Sequence, residues 1–177
     1  MKRAMILVCL AILVPGLAAA QTDLESMHEH MDAIGLMVGE WAGEGWIAMG
    51  PEGPKRFTSA ETVESRLDGL VLIIEGVHES LEEANRGEIV HHAVAVLSWN
   101  DGEGVYDFRS HLATGRSGEF KGRFQDGAFV WGMEIPGRTL RYTITIDDTD
   151  RWSEVGESST DGTTWRKFFE MTLRRVD

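Results

Sequence analysis

From Gly39 to the end of the chain, apolar residues recur at every second position, and turn-forming pairs interrupt them roughly every eight to twelve residues. Asp68-Gly69, Asn100-Asp101-Gly102, Asp126-Gly127, Pro136-Gly137 and Asp161-Gly162 are the clearest turns, because Gly, Asn and Asp tolerate the backbone of a tight hairpin. Reading between them predicts strands over 40–49, 56–66, 70–79, 89–99, 104–113, 118–124, 128–135, 138–147, 151–159 and 163–175. Ten short strands joined by hairpins form a meander, and a meander of that length removes its exposed edges by closing on itself. The expected fold is all-β: a single antiparallel up-and-down barrel of about ten strands. A two-sheet sandwich would use the same number of strands, but the run of hairpins favours the barrel.

Before Gly39 the period changes. Leu24, Met27, Met31 and Ile34 fall on one face of a helix, and Glu25, His28, Glu29 and Asp32 on the other. Thr22 and Glu25 have the spacing of a capping box, and Gly35 ends the segment. One short N-terminal helix is therefore expected, covering an open end of the barrel or packing on its outer wall.

The first twenty residues read as a signal peptide rather than as part of the fold. Lys2 and Arg3 precede an apolar run, Ala4 to Val14, that is too short to span a bilayer. Pro15-Gly16 breaks that run, and Ala18-Ala19-Ala20 supplies a cleavage site. The expected organisation is a signal peptide at 1–20, a helix at 21–35 and the barrel domain at 36–177, with the mature chain exported to the periplasm or secreted. The only cysteine, Cys9, leaves with the leader, so the mature chain has no disulfide and no thiol chemistry. A formal charge of −12 argues against nucleic acid and anionic membranes as partners, since both need basic patches. No other apolar run approaches transmembrane length, so no stable membrane insertion is expected.

The segment Val38-Gly39-Glu40-Trp41-Ala42-Gly43-Glu44-Gly45-Trp46 resembles the opening strand of calycin-like barrels, whose Gly-x-Trp packs across the barrel base. More broadly, the chain resembles a group of functionally uncharacterised bacterial exported proteins with lipocalin-like folds. The likeness rests on Leu67-Asp68-Gly69-Leu70, Glu75-Gly76-Val77-His78, Glu154-Val155-Gly156-Glu157 and Trp165 through Met171. It implies the fold and carries no activity. In outline the chain is also similar to nitrobindin, a ten-stranded haem barrel with a comparable opening. It departs from that family at Trp46-Ile47-Ala48-Met49, where a Tyr-Pro-Thr-Ile stretch would be expected. The nitrobindin iron is held by a histidine near the C-terminus, and this chain has none after His111. No cofactor is expected.

Alternation assigns each strand an inner face. It places Phe57, Ser59, Glu61 and Val63 inward on the second strand, and Leu70, Leu72, Ile74 and His78 on the third, a strand apolar on both faces as if the helix covered its outer wall. Tyr106, Phe108, Ser110 and Leu112 follow on the fifth strand, Phe129, Trp131, Met133 and Ile135 on the seventh, and Leu140, Tyr142, Ile144 and Ile146 on the eighth. Trp152 carries Glu154 to the inner face of the ninth, and the tenth contributes Trp165, Phe169, Met171 and Leu173. Trp41 and Trp165 are expected to close the floor.

These faces give a mostly apolar lining with a few polar groups, which is the composition of a small-molecule pocket. The candidate ligand-binding residues are Glu61, His78, Phe108, Ser110, Trp131, Tyr142 and Glu154. The expected function is an exported barrel that binds a small, largely apolar ligand. An enzyme of isomerase or cyclase type is the alternative, with Glu61 and Glu154 as acid and base tuned by His78. A barrel filled by its own side chains, acting through its surface, is the third reading. No serine lies in a Gly-x-Ser-x-Gly elbow, and Gly43-x-Gly45 leads into a strand rather than a phosphate-binding helix. His28 and Asp32 are one helical turn apart, which a solvated helix face explains as well as a metal would; adjacent His91 and His92 point to opposite faces. No metal site is expected.

Overall fold

The structure, a computed structural model, describes residues 16–48 and 50–176. The charged start, the apolar run and Cys9 lie outside the described residues. The helix α1 spans Gly16–Ala33 and passes through a single 3-10 turn, Gly35–Met37, into the first strand. It begins earlier than expected. Alanine is the best helix former and nothing between Ala18 and Thr22 breaks the helix, so in the full-length chain Thr22 is an interior residue and not the N-cap.

Ten strands follow: β1 Gly39–Ile47, β2 Lys55–Arg66, β3 Val71–Ser80, β4 Ile89–Asn100, β5 Val105–Leu112, β6 Ser117–Gln125, β7 Ala128–Ile135, β8 Arg138–Ile146, β9 Arg151–Ser159 and β10 Arg166–Val176. Each pairs antiparallel with its sequence neighbours, and β1 also pairs with β10, which closes the barrel. The turns are those the sequence marks. At Asp126-Gly127 both residues have positive φ, +52° and +76°, the left-handed backbone that a two-residue hairpin needs.

One end of the barrel is a packed floor. Trp41 and Trp152 meet edge to face at 5.5 Å, surrounded by Leu72, Leu97, Tyr106 and Leu173. The end of α1 and the turn after it insert Met31, Ile34 and Met37 into this cluster. Polar contacts fix the plug. Trp41 Nε1 donates to the Met37 carbonyl at 2.9 Å, and the Tyr106 hydroxyl donates to the His30 carbonyl at 2.6 Å. The His30 ring stacks on Trp99 at 3.6 Å, and the Arg175 guanidinium lies 4.2 Å over Trp41 while donating to the carbonyls of Val38 and Leu36.

Several expected placements are corrected. The second floor tryptophan is Trp152, not Trp165. A register shift between Lys167 and Phe169 puts both Phe168 and Phe169 in the interior. Trp165 falls just before β10 and lies under the guanidinium of Arg141, at 4.0 Å, on the outside of the wall. Leu70 belongs to the β2–β3 turn, Ile135 is exposed at a rim, and Leu24 is exposed on α1. The helix lies across the floor against β4, so Val71, Ile73 and Val77 on the outer face of β3 keep accessible surface.

Candidate functional site

The same strands that form the floor build a different interior toward the opposite end, the mouth. On β2, alternation points Phe57, Ser59 and Glu61 inward, and register sets Ser59 opposite His78 and Glu61 opposite Gly76 on β3. Gly76 gives the carboxyl its place. A Cβ there would stand 2.5 Å from a Glu61 carboxylate oxygen, so only glycine lets the side chain lie flat across β3. Lying so, Glu61 Oε1 accepts from Ser59 Oγ at 3.2 Å and shares a hydrogen bond with His78 Nε2, also at 3.2 Å. The His78 ring stacks on Phe57 at 4.5 Å with planes 4° apart, and His91 of β4 lies 4.8 Å beyond it.

The facing wall is aromatic. Trp131 of β7 and Tyr142 of β8 stack at 4.4 Å with planes 8° apart, and Phe108 of β5 meets Trp131 edge to face at 4.7 Å. Tyr142 contacts Phe169 at 5.9 Å and Phe169 contacts Phe57 at 5.8 Å, so the rings lead back round the wall to the polar side. Glycines on the strands between them make room: a Cβ at Gly45 would strike the Phe57 ring at 2.6 Å, and one at Gly156 would meet Phe169 at 2.8 Å. The rings therefore pack into one band, in which Trp131 and Tyr142 each cover a face of the other. Trp131, Tyr142, Phe108, Ser110 and Glu154 all retain accessible surface, whereas Trp41 and Leu97 at the floor keep 1% and 0%.

Glu154 shares the inner face of β9 with Trp152 and sits opposite Met171 of β10. It keeps accessible area although protein surrounds it, which places its carboxyl on the wall of the interior. The indole N–H of Trp152 is directed toward it without reaching hydrogen-bond geometry. Burial dominates the electrostatics. It raises Glu61 to about 7, against the hydrogen bond from Ser59. It raises Glu154 to about 8, with the Glu61 charge adding to the effect. It holds His78 down to about 4. Glu61 and His78 thus both resist charging, and between about pH 4 and 7 they are mainly a neutral hydrogen-bonded pair rather than an ion pair. Tyr142 is pushed up to about 12, by burial first and then by Glu154, and remains a neutral hydroxyl.

Of the expected site residues, the structure joins Glu61 and His78 directly, sets Glu154 within their electrostatic reach, and unites Phe108, Trp131 and Tyr142 in one aromatic face. Ser110 is on the inner face of β5, one inward position nearer the mouth than Phe108. Sequence reasoning missed His91. Its pairing with His92 guarantees that one of the two faces inward, but that it meets His78 follows only from the β3–β4 register. His92 points outward to Glu75, with Nε2 2.8 Å from Oε1. Phe57, Ser59 and Phe169 were assigned to the inner face without a part in the site, and all three support it. Among the described residues no group of three or more His, Cys, Asp or Glu side chains is arranged to hold a metal ion.

The wall is not equally tight all round. Backbone pairing of β6 with β7 runs only from Gln125/Ala128 to Lys121/Gly132, and beyond it lies a groove lined by Phe120, Trp131, Met133, Arg141 and Trp165. A separate apolar void of about 30 Å³, lined by Ile34, Met37, Phe129 and Ile144, lies in the floor away from the carboxyls.

Comparison with protein-family models gives no match, and none is found among curated proteins. Solved structures do match. Rv2717c from M. tuberculosis is 14% identical, with 84% of this chain and 98% of that one covered at a TM-score of 0.63. An S-type phycobiliprotein lyase from Guillardia theta is 13% identical, with coverage of 87% and 93% and a TM-score of 0.56. At such identities the likeness is one of fold, and it fits a calycin-like barrel.

Proposed function

We propose that this protein binds a small, largely apolar molecule in the mouth half of its barrel. The observation that carries the proposal is the accessible Trp131–Tyr142 stack facing the buried Glu61–His78 pair across the interior. An apolar wall with a few convergent polar groups is what a preformed ligand site requires. Transfer of ligand surface from water onto such a wall is worth about 25 cal/mol per Å² without any need to open the fold. The fold is compatible with this reading, since a barrel of similar outline serves as a phycobiliprotein lyase. The protein acts outside the cytoplasm in this proposal, after removal of residues 1–20. Intact mass of the exported form checks that part, and the mature chain should begin at Gln21.

Fluorescence titration tests the binding. An environment-sensitive apolar dye should bind with one-to-one stoichiometry and quench tryptophan emission. Trp131→Ala should weaken it by about tenfold, the loss of one aromatic wall. Failure of the wild-type chain to bind any such dye would sink the proposal.

A second reading has its own support. Glu61 and Glu154 are two carboxyls raised toward neutrality on one inner wall and within electrostatic reach of each other, the condition for general acid–base chemistry on a bound molecule. Under this reading the protein is an isomerase- or cyclase-like enzyme, with Glu61, His78 and Glu154 as the reacting groups. Turnover of a bound compound that is lost in both Glu61→Gln and Glu154→Gln, with binding retained, would establish it.

A further inference from the structure

The mouth half of the interior carries two carboxyls and no lysine or arginine. β2 contributes Glu61, β3 His78, β4 His91, β8 Tyr142 and β9 Glu154, while the inward residues of β1, β5, β6, β7 and β10 there add no titratable group. Among the described residues, every Lys and Arg lies on the outer wall, in a loop or at a rim, and those of the mouth loops and rim, Lys55, Arg86, Arg116, Arg138 and Arg166, are exposed. No cation in the described chain faces either carboxyl. Glu154 in particular has only burial, the Glu61 charge and the Trp152 indole acting on it. Trp152 is itself 2% exposed, and its N–H has no hydrogen-bond partner. It is a buried donor directed at a carboxyl that would accept from it fully only when ionised.

A ligand with a carboxylate or phosphate head would bring a third acid into this low-dielectric space with nothing to balance it. A positively charged head meets the opposite situation. The two carboxyls become its counter-ions, and its apolar body meets the aromatic band of Trp131, Tyr142, Phe108 and Phe169. We infer that the pocket takes a small apolar amine in its ammonium form, with the charged nitrogen held at Glu61 and Glu154 and the body laid against Trp131 and Tyr142. This rests on the pocket proposed above and specifies its ligand class. The charge balance is explicit: the ammonium ion enters with its proton, a carboxyl of Glu154 or Glu61 becomes carboxylate, and the released proton goes to solvent. The Trp152 N–H then faces an ionised acceptor.

Titration calorimetry of the wild-type chain at neutral pH, with three probes that share one ring system, tests this directly. The probes are naphthylmethylamine, naphthylmethanol and naphthoate. The amine should bind at least about tenfold more tightly than the alcohol, and naphthoate the least. Amine binding should release protons, seen as a heat that changes with the ionisation enthalpy of the buffer, whereas alcohol binding should release none. Glu154→Gln and Glu61→Gln should each weaken the amine by about tenfold and the alcohol by much less, with far-ultraviolet circular dichroism showing that both variants stay folded. Naphthoate binding as tightly as the amine, or an amine preference that survives in both variants, would overturn the inference. If the alcohol binds and the heads are not discriminated, the pocket stands and the ammonium assignment falls. If none of the three binds, both fall together.

Discussion

The floor and the mouth of this barrel are made by the same ten strands with the same alternation, yet they are different materials. At the floor the inward side chains are Trp41, Val63, Leu72, Leu97, Tyr106, Trp152 and Leu173, and the end of α1 supplies the missing side of the core. All of these side chains are buried, and the space left beside them is the apolar void of about 30 Å³ at Ile34 and Phe129. Toward the mouth the inner face alternates rings with glycines and includes Glu61, His78, His91 and Glu154; Phe57, Ser59 and Phe169 there are buried, while Trp131, Tyr142 and Glu154 keep accessible surface. The difference teaches that closure of a sheet does not determine whether its interior is a core or a site. Side-chain volume at the inward positions does, together with whether something covers the end.

The largest break in this comparison should come from truncating a matched pair of tryptophans. Trp41→Ala leaves a cavity in a close-packed region and removes the bond to Met37, so it should cost about 3–5 kcal/mol in chemical denaturation. Trp131→Ala removes a half-buried ring and should cost about 1–2 kcal/mol, while the main loss falls on dye binding. Equal costs at the two positions would mean that the mouth is as filled as the floor.

The glycines sharpen the contrast next. Gly122→Ala drives a methyl into the Phe129 ring at 2.4 Å, and Gly76→Ala drives one into the Glu61 carboxylate at 2.5 Å. Each should destabilise by about 1–3 kcal/mol through overpacking. Only Gly76→Ala should also disturb the Glu61–His78 pair, visible as a shifted His78 titration by NMR.

Stability against pH separates the halves again, because the buried groups shifted into the range from about pH 4 to 8 lie toward the mouth, whereas Tyr106 at the floor is pushed up to about 12. Glu61 and Glu154 release their protons at about 7 and about 8 in the folded chain, above the ordinary 4.5. Between those values the folded state holds more protons than the unfolded one. Their contribution is therefore complete below pH 4.5 and is lost as pH rises through 7 to 8. His78 and His91, both held by burial to about 4 against an ordinary 6.5, act in the opposite sense, and their contribution is lost as pH falls through that window. The two effects largely offset each other where they overlap, so the net fall should appear above the histidine range. Urea denaturation should show a loss of about 1–3 kcal/mol between roughly pH 6 and 8.5, flattened in Glu154→Gln. A flat wild-type profile would mean that these carboxyls are solvated.

The smallest effect belongs to the outer wall. Arg141 pairs with Glu157 at 2.7 Å and covers Trp165, but both contacts are partly solvated. Arg141→Ala should cost under about 1 kcal/mol and leave binding of neutral probes unchanged, as thermal denaturation and the dye titration would check.

Much of this was legible in the chain itself. The strands and hairpins follow from a two-residue period punctuated by Gly, Asn and Asp, and the same period put Glu61, His78, Phe108, Trp131, Tyr142 and Glu154 on inner faces. These are local properties, because a pleat points successive side chains to opposite sides whatever the partner strand is. The failures were also local in origin. The bulge in β10 moved Trp165 outside and brought Phe168 in, and an unbroken run of helix formers carried α1 past Thr22.

What the sequence determined by itself was the number of strands, the hairpin order and the side of the wall that most residues face. What only the tertiary structure decided was which inward residues meet. Whether Glu61 reaches His78 depends on the β2–β3 register and on a glycine at position 76 of the neighbouring strand, and whether His91 joins them depends on the β3–β4 register. The end that α1 closes is likewise a tertiary choice, made by the fit of Met31, Ile34 and Met37 against Trp41 and its neighbours. Register, closure and plugging are sums over the whole chain of turn lengths, bulges and side-chain volumes. A two-residue pattern carries no record of such sums.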